Sequence, residues 1–541
     1  MPADYTIQDI IGPIMVGPSS SHTAGALAIS SMTRSLLGTD PSRVEFKLYG
    51  SFAHTYRGHG TDRALVAGLL GMAADDSRVR DSLKIACDNG VEVILTPLPD
   101  EAVDHPNTVD IDVVACDGTQ LAVRGESIGG GAARLTRIDG MKVEVTGKTH
   151  SLVVKQHDVK GVLAYIASTL AGCGVNIATT SMYRTARGAE AFTVIEIDEP
   201  VGDGTIAKLA SNPDIIVVRS MPAAGSTPGG EAPTAAEQEQ ALEELKRLDF
   251  KTGTELVDRC AALDLSISEL FCRRNSCLYV SEASSDGTTA YLKRALAVMR
   301  ESAQGPLEKP VLSLGGLIGG EAAKVRQLNE STDSGKPASM VAKMVQYALA
   351  VLETNASMGR IVAAPTAGSA GVIPAVLLAF QEEHRLSDEQ VEAALANAAA
   401  IGYLISRNAT VSGAEGGCQA EIGSASAMAA SALVELCGGT PQQCLNAAAN
   451  ALANLLGLVC DPIAGLVEAP CQKRNATAAL NALASAEIAL AGVSNLVSFD
   501  ETVEAVRKVG ASMPCELRET ALGGMAATPS ACEFCEKFRA V

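Results

Sequence analysis

Along residues 1–148 the spacing of apolar positions changes from one segment to the next. In "RVEFKLYG" and "VEVILTPL" apolar and polar residues alternate, the two-residue period of a half-buried strand. "SSSHTAGALAISSMTRSLLG" places apolar residues at helical spacing, with a serine cap at its start and Gly38 as its stop. "TDRALVAGLLG" repeats the helical pattern. The mixture predicts an α+β domain over residues 1–148.

Residues 149–222 predict a compact unit. "HSLVVKQ" has the pattern of a strand, and "VKGVLAYIASTLAGCG" that of a helix closed by Gly172 or Gly174. "VNIATTSMYR" and "AEAFTVIEID" follow as strands, "GDGTIAKLASN" as a short helix and "DIIVVRSM" as a last strand. The order βαββαβ is the ferredoxin-like pattern. Asp158 and Gly161 fall at its first strand-to-helix turn, a place where small regulatory modules bind ligands. The stretch "PAAGSTPGGEAPTAAEQEQ" is poor in apolar residues and rich in Pro, Gly and Ala, which predicts a linker over 223–237. From 238 to 541 two-residue alternation nearly vanishes. Helical runs such as "SMVAKMVQYALAVLETNASMG" and "AEIGSASAMAASALVELCGG" predict an all-α domain, with no fixed repeat of the solenoid kind.

Composition sharpens this. Hydrophobic residues make up 47% of 541 and aromatic ones only 3%, with no Trp, so the core must come from Ala, Val, Leu and Ile in closely packed helices. A net charge of −19 argues against nucleic-acid binding, which needs clustered Lys and Arg. The lack of a long uninterrupted apolar run argues against a membrane span, and the first residues do not have the form of a secretory signal. Fourteen cysteines in such a chain point to a reducing, cytoplasmic setting, where they stay thiols and their grouping raises the question of metal.

Five groups of residues hold candidate chemistry. Cys418, Cys460 and Cys471 stand at helix boundaries, and Cys418 and Cys471 each open a helix, where the dipole lowers a thiol pKa and favours soft-metal ligation. Zinc is disfavoured by the lack of a nearby C-x-x-C pair. Packing as small apolar residues remains open, as it does for Cys437 and Cys444. In "VGPSSSHTAGA" serines and His22 precede a helix and can form an anion site for a carboxylate, or serve only as caps. In "YRGHGTD" the two glycines around His59 predict an exposed turn from which it can act as a base. His105 lies in the polar loop "DHPNT". In "ETNASMGRIVAAPTAGSAGVIP" amide and hydroxyl groups can hold a small polar substrate, or the small residues can serve helix packing.

Taken together, these stretches resemble the iron–sulfur-dependent L-serine dehydratases, or L-serine ammonia-lyases. "GPSSSHTAGA", "GHGTD", "DHPNT" and "SIGGG" are similar to the β portion of that family. "NASMGRIVAAPTAGSAGVIP", "SGAEGGCQAEIGSASAM" and "CDPIAGLVEAPCQKRN" are similar to its α portion. Residues 149–222 resemble an ACT domain, and the whole resembles the single-chain members of the family. The resemblance implies that Cys418, Cys460 and Cys471 hold a 4Fe–4S cluster with one open iron as Lewis acid. It implies deamination of L-serine to pyruvate and ammonia, in amino-acid degradation feeding gluconeogenesis. His59 becomes the base, with His22 and His105 lining the site. Ser19 and Ser21 become candidates for the substrate carboxylate, and Asn355 and Ser357 for contacts from the α side. Asp158 and Gly161 become an allosteric amino-acid site, and pairing of ACT units implies a homodimer. Relatives with a cysteine at the extreme C-terminus suggest a tail cap on the open iron; here Cys532 and Cys535 are the candidates, although the chain runs past both. Two other readings stand beside this one. A pyridoxal-phosphate dehydratase would use a glycine-rich phosphate cup such as "LSLGGLIGG", and a non-catalytic amino-acid sensor would use the ACT-like unit alone.

Overall fold

The computed structural model describes residues 5–184, 186–198, 200–223, 234–281, 287–331 and 339–540. Near the N-terminus a six-stranded sheet runs in the order Glu92–Leu98, Pro41–Tyr49, Thr108–Ala115, Gln120–Gly129, Ala132–Ile138, Met141–Val145. Only the first pair is parallel. The two strands singled out by alternation form that pair. "TVDIDVVA", in the third, alternates as plainly, while Gly125 interrupts the pattern of the fourth. That glycine permits a close approach: a Cβ there would lie 2.2 Å from Cγ2 of Ile29 on the helix Gly25–Leu37. This helix and Thr61–Leu69 share one buried apolar cluster with the sheet, including Ile29, Leu65, Phe46, Ile111 and Val123. Residues of the type Ile or Leu contribute roughly 1.5–3 kcal/mol each on full burial. Side chains on the other face pair as ions, Lys47 with Asp112 at 2.8 Å and Arg124 with Asp110 through two 2.6 Å bonds.

The second unit is a four-stranded antiparallel sheet in the order Ile215–Met221, His150–His157, Glu190–Ile197, Ile177–Arg184. Helices Val162–Gly172 and Asp203–Ala210 connect its strands and share its small core. Most of the expected linker, residues 224–233, lies outside the described residues. The helix Ala235–Leu248 begins inside the expected linker, with Thr234 and Glu237 closing a capping box.

The C-terminal region is helical, and its core is alanine-dense. Val372 to Phe380 are all buried, as is most of the helix Asp388–Asn408. Residues at the very start of the chain join this core rather than the N-terminal one. Ile7, Ile10, Ile11 and Met15 are buried in it, and Asn275 Oδ1 accepts the Ile7 N–H at 2.8 Å. The strand Ile14–Val16 pairs antiparallel with Arg360–Val362, the one described strand pairing made by the helical region. Residues 7–15, at the start of the N-terminal portion, thus pack with the helices, while Val16 joins the apolar cluster of the sheet. No helix of the described residues is long and apolar enough to cross a membrane.

Candidate active site

The serine-rich stretch does not run straight into a regular helix. Ser20–Ala24 form a wide π turn, capped by Ser19, before the helix Gly25–Leu37 starts. The turn directs His22 inward, where it is 2% exposed. Its Nδ1 lies 2.9 Å from Ser21 Oγ and 3.4 Å from Ser19 Oγ, and its Nε2 lies 2.8 Å from Ser51 Oγ. Ser19 Oγ also accepts the His22 N–H at 3.1 Å.

His59 faces His22 with ring centroids 4.5 Å apart. It is 0% exposed, so the expectation of an exposed turn is corrected. The flanking glycines serve close packing instead. A Cβ on Gly58 would lie 2.9 Å from Leu466 Cδ2, and one on Gly60 2.8 Å from Met358 Sδ. Gly60 also needs its left-handed φ of +64° to start the helix Thr61–Leu69. Neither ring nitrogen of His59 has a hydrogen-bond partner among the described residues. Burial pushes its pKa down to about 4, and burial plus the neighbouring His59 holds His22 well below its ordinary value.

His105 is half-buried on an adjoining loop. Its Nδ1 accepts the Asn107 N–H at 3.2 Å, and burial lowers its pKa. The neighbouring Pro106 carbonyl accepts the Ser51 N–H at 2.8 Å. Ser127, from "SIGGG", donates to the Ser21 carbonyl at 2.7 Å. The four β-type motifs thus converge through Ser51 and Ser127, two residues the sequence reading did not single out.

The α side reaches the same place. Asn355 Nδ2 donates to the Ala367 carbonyl at 2.8 Å, while the Ala367 N–H donates to Ser20 Oγ at 3.2 Å. Asn355 is fully buried and its Oδ1 has no partner among the described residues. Ser357 Oγ turns back on its own helix, donating to the Thr354 carbonyl at 3.1 Å.

Cys418, Cys460 and Cys471 are all buried. Cys418 caps the π turn Gln419–Gly423, and Cys471 opens the helix Cys471–Leu490. Contact with Cys418, then burial and the Glu421 carboxylate, push the Cys460 thiol well above its usual range. Burial, then Cys418 and Glu421, do the same to Cys471, opposed by Arg474. At Cys471, burial and its acidic neighbours act against the lowering expected from a helix start. The mutual effects place the three sulfurs in one neighbourhood. Arg474 is there too; burial works against its charge, but Cys418, Asp461 and Cys471 outweigh it, and it bonds Asp461 at 2.7 Å.

Cys437 is exposed at the C-cap of the helix Ser424–Leu436 instead of packed inside it, whereas Cys444 is buried. Cys532 is exposed on the helix Pro529–Ala540 with its Sγ 4.0 Å from the Ala526 carbonyl; Cys535 is half-buried.

The loop between Cys460 and Cys471 lies directly on the histidine turn. Leu466 presses on Gly58, and a Cβ on Gly465 would lie 3.1 Å from Thr55 Cγ2. A cavity of about 390 Å³ beside this contact is lined by Tyr56, Arg57, Gly58, Ala464 and Phe538 among others. The glycine-rich run "LSLGGLIGG" folds around Glu468 from the same loop. Ser313 Oγ and the N–H groups of Gly315 and Leu317 donate to its buried carboxylate at 2.7, 2.7 and 2.9 Å. Donors that a phosphate cup would offer are thus taken by a side chain of the protein.

In the four-stranded unit, Asp158 precedes the helix that Gly161 caps. Asp158 Oδ2 accepts the Gly188 N–H at 3.0 Å and an Arg184 N–H at 2.9 Å, which hold its pKa low.

Residues 232–526 match the family model of the serine dehydratase alpha chain, and residues 7–86 that of the serine dehydratase beta chain. L-serine dehydratase of Streptomyces coelicolor is 30% identical over 527 residues, spanning 95% of this chain and 96% of that protein. The alpha chain of L-serine dehydratase from Peptoniphilus asaccharolyticus is 44% identical over 51% of this chain and 94% of its own length. The beta chain from the same organism is 40% identical over 37% of this chain and 89% of its own. With both portions in one chain and a relative matched along nearly its whole length, the chain belongs to the serine dehydratase family.

Proposed function

We propose that the protein is an L-serine dehydratase, converting L-serine to pyruvate and ammonia in the reducing cytoplasm, and that its site forms where the histidine turn meets the Cys460–Cys471 loop. The packing of Leu466 on Gly58 carries this reading, because it sets candidate base and candidate metal ligands against each other from two domains.

A 4Fe–4S cluster is held by cysteine thiolates. Among the described residues no three Cys, His, Asp or Glu side chains are set to hold a single metal ion. Ligands of one ion must crowd at about 2.3 Å around it, whereas the cysteines of a cluster each take a different iron. Three buried thiols in one neighbourhood with a buried arginine fit the second case. Cys418, Cys460 and Cys471 would hold the cluster. When bound, it would supply a Lewis acid at the iron that lacks a protein ligand, for the departing β-hydroxyl.

The remaining chemistry falls to the protein. His59, kept neutral at physiological pH by burial, takes the α-hydrogen at a ring nitrogen. Loss of this proton and of the β-hydroxyl gives aminoacrylate and water. Aminoacrylate tautomerises to the imine, which takes up water and releases ammonia and pyruvate. His22 and His105 line the site. The hydroxyls of Ser19 and Ser21 are the donors assigned to the substrate carboxylate. The free Oδ1 of Asn355 suits the substrate ammonium, with Ser357 at the same helix end. We assign the four-stranded unit as an ACT domain that binds an amino acid, serine itself, at the turn of Asp158 and Gly161. Its edge strand Ile177–Arg184 supports pairing into a homodimer.

Anaerobic reconstitution with iron and sulfide, followed by pyruvate measurement on L-serine, tests the reading. Turnover that tracks iron content, with a loss of about 10²–10⁴-fold in His59→Ala, is expected. Turnover without iron, or none in a fully loaded preparation, would overturn it.

A further inference from the structure

Ser51 lies outside the serine-rich stretch, on the short helix Gly50–Thr55, yet it makes the contact that fixes His22 from its far side. A neutral imidazole has one N–H and one lone pair, and each needs a partner once water is excluded. For His22 the Nδ1 side is crowded with hydroxyls, Ser21 at 2.9 Å and Ser19 at 3.4 Å. The Nε2 side has Ser51 alone, at 2.8 Å. Ser51 is itself held in place: its N–H donates to Pro106, next to His105, and its carbonyl accepts from Thr55 Oγ1 at 2.8 Å. Phe52, the next residue, lies edge-on to the His22 ring at 5.3 Å and closes the remaining side. The ring thus has one orientation, and that orientation presents it to His59 at 4.5 Å.

We infer that Ser51 is a positioning residue for proton removal: its hydroxyl fixes the plane of the His22 ring, and His22 in turn fixes the His59 ring. His59 has no hydrogen bond of its own among the described residues to set its ring plane, so its neighbour and the packing of Leu466 and Met358 must do so. His59 is also the titratable group that acts on His22; His54 on the Ser51 helix is exposed, and Glu126, Arg134 and Glu415 act on His105. The inference rests on His59 as base.

Three variants of the full chain, reconstituted with iron, separate the possibilities. Ser51→Ala is expected to lower kcat about tenfold, the scale of one orphaned buried hydrogen bond, with KM and iron content unchanged. The isotope effect with α-deuterated L-serine is expected to rise, because proton removal has become slower relative to the other steps. Ser51→Thr, which keeps the hydroxyl, is expected to restore both. A merely structural lesion lowers the active fraction and leaves the isotope effect alone. An isotope effect no larger than the parent's, or a loss that threonine does not restore, would overturn the inference. His59→Ala tells this failure from failure of the reading beneath it: if His59→Ala keeps parental turnover, the base is elsewhere and the inference falls with it.

Discussion

Cys418, Cys460 and Cys471 differ from the other buried cysteines, Cys260 and Cys444, in their company. Cys444 is as deeply buried, with Glu435, Ser431, Asn397 and Cys260 about it, and burial first pushes its thiol above the ordinary range. Cys418 and Glu421 act on both Cys460 and Cys471, and Arg474 acts with Cys418 and Cys471. Serine in place of any of the three is expected to remove bound iron and to cut pyruvate formation by more than about 100-fold, beyond the 10–100-fold typical of groups that only support a ligand. Cys437→Ala, at an exposed helix cap, should change stability by no more than about 0.5 kcal/mol and leave iron content alone. Iron analysis of the purified variants checks both. Retention of iron by Cys460→Ser would remove it from the ligand set.

At the scale of elements, the helix Gly25–Leu37 links two units. Its first turn follows Ser19, Ser21 and His22, and its last turn is held by the four-stranded unit: Arg219 Nε donates to the Leu36 carbonyl at 3.0 Å and Nη2 to that of Leu37 at 3.5 Å. A guanidinium on the final carbonyls of a helix satisfies orphan acceptors and complements the dipole. The helix has 13 residues, so its ends are about 20 Å apart at 1.5 Å per residue. If an amino acid bound to the four-stranded unit shifts turnover, this is the rigid element that both places touch. Arg219→Ala is expected to reduce the coupling, which is typically about 1–3 kcal/mol, and to make the rate against serine concentration more nearly hyperbolic without altering iron content. A curve superimposable on the parent's would show that the coupling runs elsewhere.

For the whole molecule, the buried histidine pair makes folding depend on pH. The unfolded chain binds a proton at His59 with the ordinary pKa of about 6.5, while the folded chain does so only at about 4. Between these values the unfolded state holds more protons, so stability is full above about 6.5 and falls as pH drops toward 4. From pH 7 to pH 5 His59 alone is expected to cost about 2 kcal/mol. His59→Gln should lose correspondingly less over that range in urea unfolding, and equal losses in parent and variant would refute the assignment of the slope to His59.

Much of the fold and part of the site were legible in the sequence, because local periodicity records which side of an element is buried. The helix ending at Gly38, the two alternating strands, the βαββαβ order and the change to helices after residue 238 all depend on neighbours a few residues apart. Candidate residues were legible as residue types in short motifs. Their environments were not. His59 looked exposed because glycines flank it, yet those glycines admit Leu466 and Met358, which arrive from distant parts of the chain. The partner of the strand Ile14–Val16 was not legible, since it is Arg360–Val362, far along the chain. "LSLGGLIGG" looked like an anion cup, and its donors close on Glu468. The sequence by itself determined the elements and the inventory of reactive groups, since both follow from local pattern. Only the tertiary structure decided which groups are dry, which are paired and which face one another, because desolvation and hydrogen bonding depend on what the rest of the chain brings to them.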